Sequence, residues 1–225
     1  MDWNATLEFA RGPFFRVALI IFIAGMTYRL ARVLFLGWSR DKVPSNGSKL
    51  AGVVKTYLKA LLILPFIPWV KNTFNKNAVT YLAGGIFHLG LFVIIFFGTA
   101  HMLVWKSLLG FGWATVSYPV VDWLAAITII SMLALLVNRF VNPVSKMISG
   151  AAEYLNWLVV FLPMITGYIM AHHLWFRYET LFSLHMIAVD VLLIWIPFSR
   201  ISHFVFYFFS RTIHGAQFGK RAVTP

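Results

Sequence analysis

Seven histidines and no cysteine make up the metal-binding inventory of the 225-residue chain. Without thiolates there is no disulfide or iron–sulfur ligation, so a metal here would be held by imidazole, thioether or oxygen. His88, His101, His172, His173, His185 and His203 lie in or beside long apolar stretches, and His214 lies in a basic tail. His185 and His203 are 18 residues apart. On one α-helix that is five turns at about 100° per residue, so both rings point the same way at levels roughly 27 Å apart. An antiparallel span carrying His88 and His101 supplies the complementary pair. Matching by depth sets His88 with His203 at the inner face and His101 with His185 at the outer. Two imidazole pairs at two depths are the axial ligands that two b-type haems need, and a haem iron compensates an imidazole that hydrocarbon would otherwise penalise. The 13-residue spacing of His88 and His101 leaves their rings roughly 140° apart on an ideal helix. That span must therefore be overwound, bulged or wrapped by the haems.

A single intramembrane histidine is more often a hydrogen-bonded helix contact than a ligand. Two on each of two antiparallel spans are harder to explain that way. His172 and His173 suit an outer-face role, at a quinone pocket or in place of His101 or His185. Arg200 precedes His203 by three residues, and Arg29 and Arg32 end the first span at the same depth. Guanidinium groups there can pair with haem propionates or snorkel to anionic lipid. Asp190 is the only acid well inside a span and is a candidate for proton relay or helix pairing. Lys106, five residues after His101, can hydrogen-bond a quinone carbonyl or serve as an interfacial anchor. Gly84, Gly85, Gly90 and Gly98 on the second span would admit a macrocycle or a neighbouring helix.

The elements that position these groups are set by composition. The chain is 60% hydrophobic and 12% charged, with a mean hydropathy of +0.79, which points to an all-α membrane bundle forming one domain over 1–225. Five stretches can cross roughly 30 Å of hydrocarbon, near Phe14 to Leu36, Val79 to Val104, Tyr118 to Val141, Ala151 to Leu174 and Leu181 to Phe209. Pro65 and Pro68 interrupt a sixth apolar stretch, so Lys49 to Lys71, within a basic insertion of about 49–77, reads as an amphipathic segment on the membrane surface. No cleavable leader is evident at the amino terminus, so the first span is expected to stay in the mature protein. The end of the first span and the loop after it together carry nine Lys and Arg against Asp41. Together with the basic tail of about 210–225, this puts the carboxyl terminus inside and the amino terminus outside the cytoplasmic membrane. Beside membrane spans, a formal charge of +12 needs no nucleic acid partner.

From Leu184 to His203 the sequence LHMIAVDVLLIWIPFSRISH resembles the last span of the gamma subunit of respiratory nitrate reductase, a diheme cytochrome b. IPFSRISH is similar to that family's PFSR-x-x-H ending, and FHLG at Phe87 to Gly90 resembles its first ligand site on the second span. The family's other ligand on that span would fall at Gly98, with His101 one turn later. The insertion at Lys49 to Asn77 is closer to related membrane cytochromes that serve heterodisulfide-reductase-like iron–sulfur subunits. The resemblance implies five spans, two haem b, exchange with quinol or quinone, and a cytoplasmic iron–sulfur partner of nitrate-reductase-like or heterodisulfide-reductase-like type. The chain would then be the quinol-oxidising or quinone-reducing subunit of an oxidoreductase. The rival from another class is a haem-free anchor or small transporter whose histidines bind protons or zinc.

Because the chain has no cysteine, the topology can be tested without background. A single cysteine introduced in the 40–76 loop is expected to react with impermeant maleimide only from the cytoplasmic side. Labelling from the outside alone would invert the model.

Overall fold

A computed structural model describes residues 2–36, 44–60 and 77–223. Regular structure among them is entirely helical, and five helical stretches are long and apolar enough to cross a membrane: Trp3–Phe35, Ala78–Phe97, Tyr118–Val141, Ala151–Ala171 and Tyr178–Phe198. Pro65, Pro68 and the rest of the amphipathic segment beyond residue 60 lie outside the described residues. The chain forms two compact units, one of Met1–Leu19 with Asn77–Ile194, the other of Ile20–Lys76 with Trp195–Pro225.

In the first unit, α1 (Trp3–Phe9) starts where the Asp2 carboxylate accepts from the amides of Asn4 at 3.0 Å and Ala5 at 3.4 Å. The first span thus begins a full three turns earlier than hydropathy suggested. A π-turn over Ala10–Phe14 leads into α2 (Phe15–Phe35). Pro13 explains the π-turn, since it has no N–H to give the carbonyl four residues back. The remaining elements of this unit are α4 (Ala78–Phe97), α5 (Thr99–Leu109), α6 (Tyr118–Val141), the short α7 (Pro143–Met147), α8 (Ala151–Ala171) and α9 (Tyr178–Trp195), whose last residue belongs to the second unit. Helix α6 lies between α4 and α8. Ile94, Ile129, Met132 and Met164 are buried at their shared centre, where the Trp157 indole donates to the Met132 carbonyl at 2.9 Å. Close approach of α4 and α6 depends on Gly90, because a Cβ there would overlap the Thr128 hydroxyl. Leu89, Phe92, Trp123, Ile130 and Val137 instead point outward, the inside-out pattern of helices that meet lipid.

The second unit holds the rest of α2, α3 (Lys49–Leu58) and α10 (His203–Lys220). The basic tail expected at 210–225 is therefore largely the second half of a helix. Gly52 on α3 meets Gly215 and Gly219 on α10, so the two backbones touch. The amides of Asn46 and Gly47 donate to the Lys220 carbonyl at 2.9 and 3.1 Å. The Tyr57 hydroxyl bonds the Phe208 carbonyl at 2.9 Å. Leu50, Val54 and Leu58 form an exposed stripe on the other side of α3, which keeps the amphipathic character the sequence indicated.

Two spans differ from the hydropathy reading. The second ends at Phe97 instead of continuing to Val104, because Gly98 takes an extended conformation, φ −71° and ψ 132°, and α5 starts afresh at Thr99. The fifth ends at Phe198 instead of Phe209. Pro197 closes one 3₁₀ turn (Ile196–Phe198), Ser199 is extended at φ −122° and ψ 174°, and a second turn (Arg200–Ser202) leads into α10. The 18 residues from His185 to His203 are therefore not one helix, and the same-face inference from five whole turns does not carry over.

Gly52→Val is expected to force α3 off α10, costing about 1–3 kcal/mol and lowering the thermal unfolding midpoint in detergent. Gly85→Ala is the control, with nothing within 4 Å of the added methyl. It should be neutral or stabilise by up to about 1 kcal/mol.

Candidate functional site

A helix that stops leaves its last carbonyls without intrahelical partners, and next to hydrocarbon these must find donors within the protein. The break at Gly98 answers this residue by residue. The Ile94 carbonyl keeps its helical bond to the Gly98 amide at 3.2 Å. The Ile95 carbonyl accepts the Trp105 indole N–H at 2.9 Å, and the Phe96 carbonyl accepts the Trp113 indole at 2.6 Å. The Phe97 carbonyl accepts from the Val116 amide at 2.9 Å. The donors to Ile95, Phe96 and Phe97 all lie after the break, so the bonds that complete α4 also fix α5 and the following loop against it. Gly98 itself is required by contact, since a Cβ there would stand 2.6 Å from the Ile94 oxygen.

Restarting the helix re-aims His101, which an unbroken span would have turned roughly 140° from His88. Its ring now faces His185 on α9, with centroids 6.3 Å apart and planes inclined by 57°. The His185 Nδ1 lies 3.1 Å from the Pro163 carbonyl on α8 and 3.3 Å from the Thr166 hydroxyl. A carbonyl can only accept, so this Nδ1 carries the hydrogen and Nε2 keeps its lone pair. On His101, Nδ1 is the ring nitrogen beside Gly98, the side of the Ile94 carbonyl. Gly167 makes room for the pair, because a Cβ there would come within 3.0 Å of the His185 Cε1.

The same tautomer is set at the other two candidate ligands. His88 Nδ1 lies 2.7 Å from the Gly84 carbonyl, and His203 Nδ1 lies 3.1 Å from the Arg200 carbonyl. His88 belongs to the first unit and His203, the first residue of α10, to the second. Among the described residues the structure brings His101 and His185 together.

The two rings fit a metal whose other ligands come from a macrocycle. Imidazoles on opposite sides of one metal, each bound at about 2.0–2.1 Å, have ring centres roughly 6 Å apart, close to the spacing found. No group of three or more His, Cys, Asp and Glu that could hold a metal occurs among the described residues, so an ion needing three or four protein ligands has no such cluster there. The His185 ring is anchored through its far nitrogen by a backbone carbonyl, the arrangement that orients metal-binding histidines.

The other candidates have separate surroundings. The Arg29 guanidinium closes the second break: Nη1 donates to the carbonyls of Pro197 at 3.0 Å and Ser199 at 2.9 Å and to the Ser202 hydroxyl at 2.5 Å, and the group lies over the Phe206 ring. The sequence offered no sign of this capping role. Arg32 lies over the Tyr28 ring at 5.9 Å, and Arg200 is exposed in the second 3₁₀ turn. Lys106 is exposed in the last turn of α5, its aliphatic stem beside Gly112. Asp190 is 0% exposed, and neither carboxylate oxygen has a hydrogen-bond partner among the described residues. His173 takes a left-handed φ of 52° with its ring 5.6 Å from that of Tyr178. His172 pairs with Asp122, Nε2 to Oδ1 2.7 Å, a pairing that the sequence did not indicate.

Fold and surface define a multi-pass helical membrane protein. Over 210 residues it is 27% identical to a curated protein of Nitratidesulfovibrio vulgaris described simply as "Protein", an alignment spanning 90% of this chain and 89% of that one. No family model and no solved structure matches the chain.

Trp113→Phe keeps the ring but leaves the Phe96 carbonyl unpaired in hydrocarbon. It is expected to cost about 1–3 kcal/mol, read as a lower unfolding midpoint. Trp123→Phe, at a residue 69% exposed, should change it little.

Proposed function

We propose that this chain is the membrane cytochrome b subunit of a respiratory oxidoreductase, moving electrons between membrane quinol or quinone and a cytoplasmic iron–sulfur partner. The observation that carries the reading is the His101–His185 pair, two imidazoles 6.3 Å apart, of which His185 turns its Nδ1 to a backbone carbonyl and keeps its Nε2 to ligate. A haem held between such imidazoles would supply one-electron redox chemistry. The chain's own contribution is to fix the His185 tautomer and to place the rings through the Gly98 break and the Gly167 gap.

For the second haem, His88 and His203 remain the proposed ligands, on the family resemblance and their carbonyl-anchored Nδ1 atoms. Arg200 and Arg32 remain the proposed propionate partners. The basic first loop and α10 supply the positive face for an acidic region of the iron–sulfur partner, in the orientation with the amino terminus outside. A zinc-dependent transporter is less well supported, because structural and catalytic zinc sites draw three or four protein ligands together.

Pyridine haemochrome analysis of the purified protein is expected to give two haems per chain with a low-spin b-type spectrum. His101→Ala and His185→Ala should each leave about one, because imidazole is the axial ligand that each removes. A stoichiometry near zero in the wild-type protein would end this reading.

A further inference from the structure

We propose that His172 and Asp122 form a proton-accepting dyad for a membrane hydroquinone, with Nδ1 of His172 as the atom that takes the hydroxyl proton. This deepens the function proposed above and rests on it for the oxidant. The Asp122 carboxylate only accepts, so the 2.7 Å contact places the hydrogen of neutral His172 on Nε2 and leaves the lone pair on Nδ1. No hydrogen bond to that Nδ1 occurs among the described residues. His185 is turned the opposite way, with Nδ1 satisfied by the Pro163 carbonyl. His172 is thus set up to receive a proton.

Position agrees with the role. His172 caps the end of α8, where the partial negative charge of a helix terminus accommodates a cation. Its side chain is 32% exposed and that of Asp122 24%, so a ligand arriving from the membrane edge can reach both. The Tyr168 ring lies 4.4 Å from the imidazole, and the Tyr118 hydroxyl, one turn before Asp122 on α6, donates to the Ala171 carbonyl at 3.5 Å. The Tyr168 ring therefore lies against the dyad and offers the flat apolar surface a quinone ring needs. His172 follows Gly167, which abuts His185, by five residues, or roughly 7.5 Å along α8. The dyad and the His101–His185 pair belong to the same unit.

The step balances as follows. A hydroquinone becoming a quinone loses two protons and two electrons. One hydroxyl proton passes to His172 Nδ1 while Nε2–H stays on Asp122, giving an imidazolium beside a carboxylate. His172 releases that proton to water and accepts the second. A haem held at the His101–His185 pair would supply the oxidant, taking the two electrons one at a time and passing each on to the proposed iron–sulfur partner. Asp122 is a positioning residue, since it acts through the imidazole.

Binding of a heptyl hydroxyquinoline N-oxide, a hydroquinone analogue, to the full-length purified protein is followed by quenching of tryptophan fluorescence. His172→Gln and Asp122→Asn should each weaken it by about tenfold or more, and Asp122→Glu should restore most of the loss. In wild-type protein, ¹⁵N NMR of histidine should find neutral His172 protonated on Nε2, with that preference lost in Asp122→Asn. In haem-loaded protein, reduction by menadiol should slow about 100-fold in His172→Gln with haem content unchanged. Equal binding in all variants, or wild-type His172 protonated on Nδ1, overturns the dyad even where two haems are present. Absence of haem with His172-dependent binding would instead remove the electron-transfer reading and leave a hydroquinone site.

Discussion

Backbone carbonyls in hydrocarbon must find a donor within the protein, and this requirement governs both places where the membrane helices of this chain are interrupted. At Gly98 the three carbonyls of Ile95, Phe96 and Phe97 take two indoles and one amide, all from the segment that follows. At Ser199 one guanidinium from α2 covers two carbonyls and a hydroxyl. An unpaired carbonyl would cost several kcal/mol in lipid. The breaks are therefore hydrogen-bonded parts of the fold.

The first break carries the candidate site. Its donors hold α5 at an angle that an unbroken span could not reach, and the angle is what turns His101 toward His185. One hydrogen-bond network thus completes a helix end and aims a ligand, so loss of a tryptophan several residues away would be felt at the histidines. On the other side, Pro163 and Gly167 of α8 cooperate. The proline carbonyl holds the His185 tautomer, and the missing glycine side chain leaves space for the ring.

Close packing in this protein is achieved with small residues more than with large ones. Gly90 against Thr128, and Gly52 against Gly215 and Gly219, bring helix backbones into contact, which is how helices gain dispersion contact where burial from water offers little. Gly84 and Gly85, equally suggestive in the sequence, have open space where a Cβ would stand. Composition alone does not separate the two kinds of glycine, because the difference lies in which helix face meets a neighbour.

The sequence by itself determined the solvent, the all-helical class, the number of spans and the pairing of His101 with His185, since hydropathy and depth follow directly from residue order. It misplaced the ends of the second and fifth spans. Apolar content continues through Gly98 and Pro197, and hydropathy does not register a carbonyl that has found a side-chain donor. It left the 140° discrepancy of His101 unresolved between overwinding, bulging and wrapping by cofactor. The tertiary structure decided for a clean break, because only the folded chain brings Trp105, Trp113 and Val116 back to the carbonyls that the break exposes. Asp122 was invisible as a partner of His172 for the same reason: they stand 50 residues apart in the chain and meet only when α6 and α8 pack.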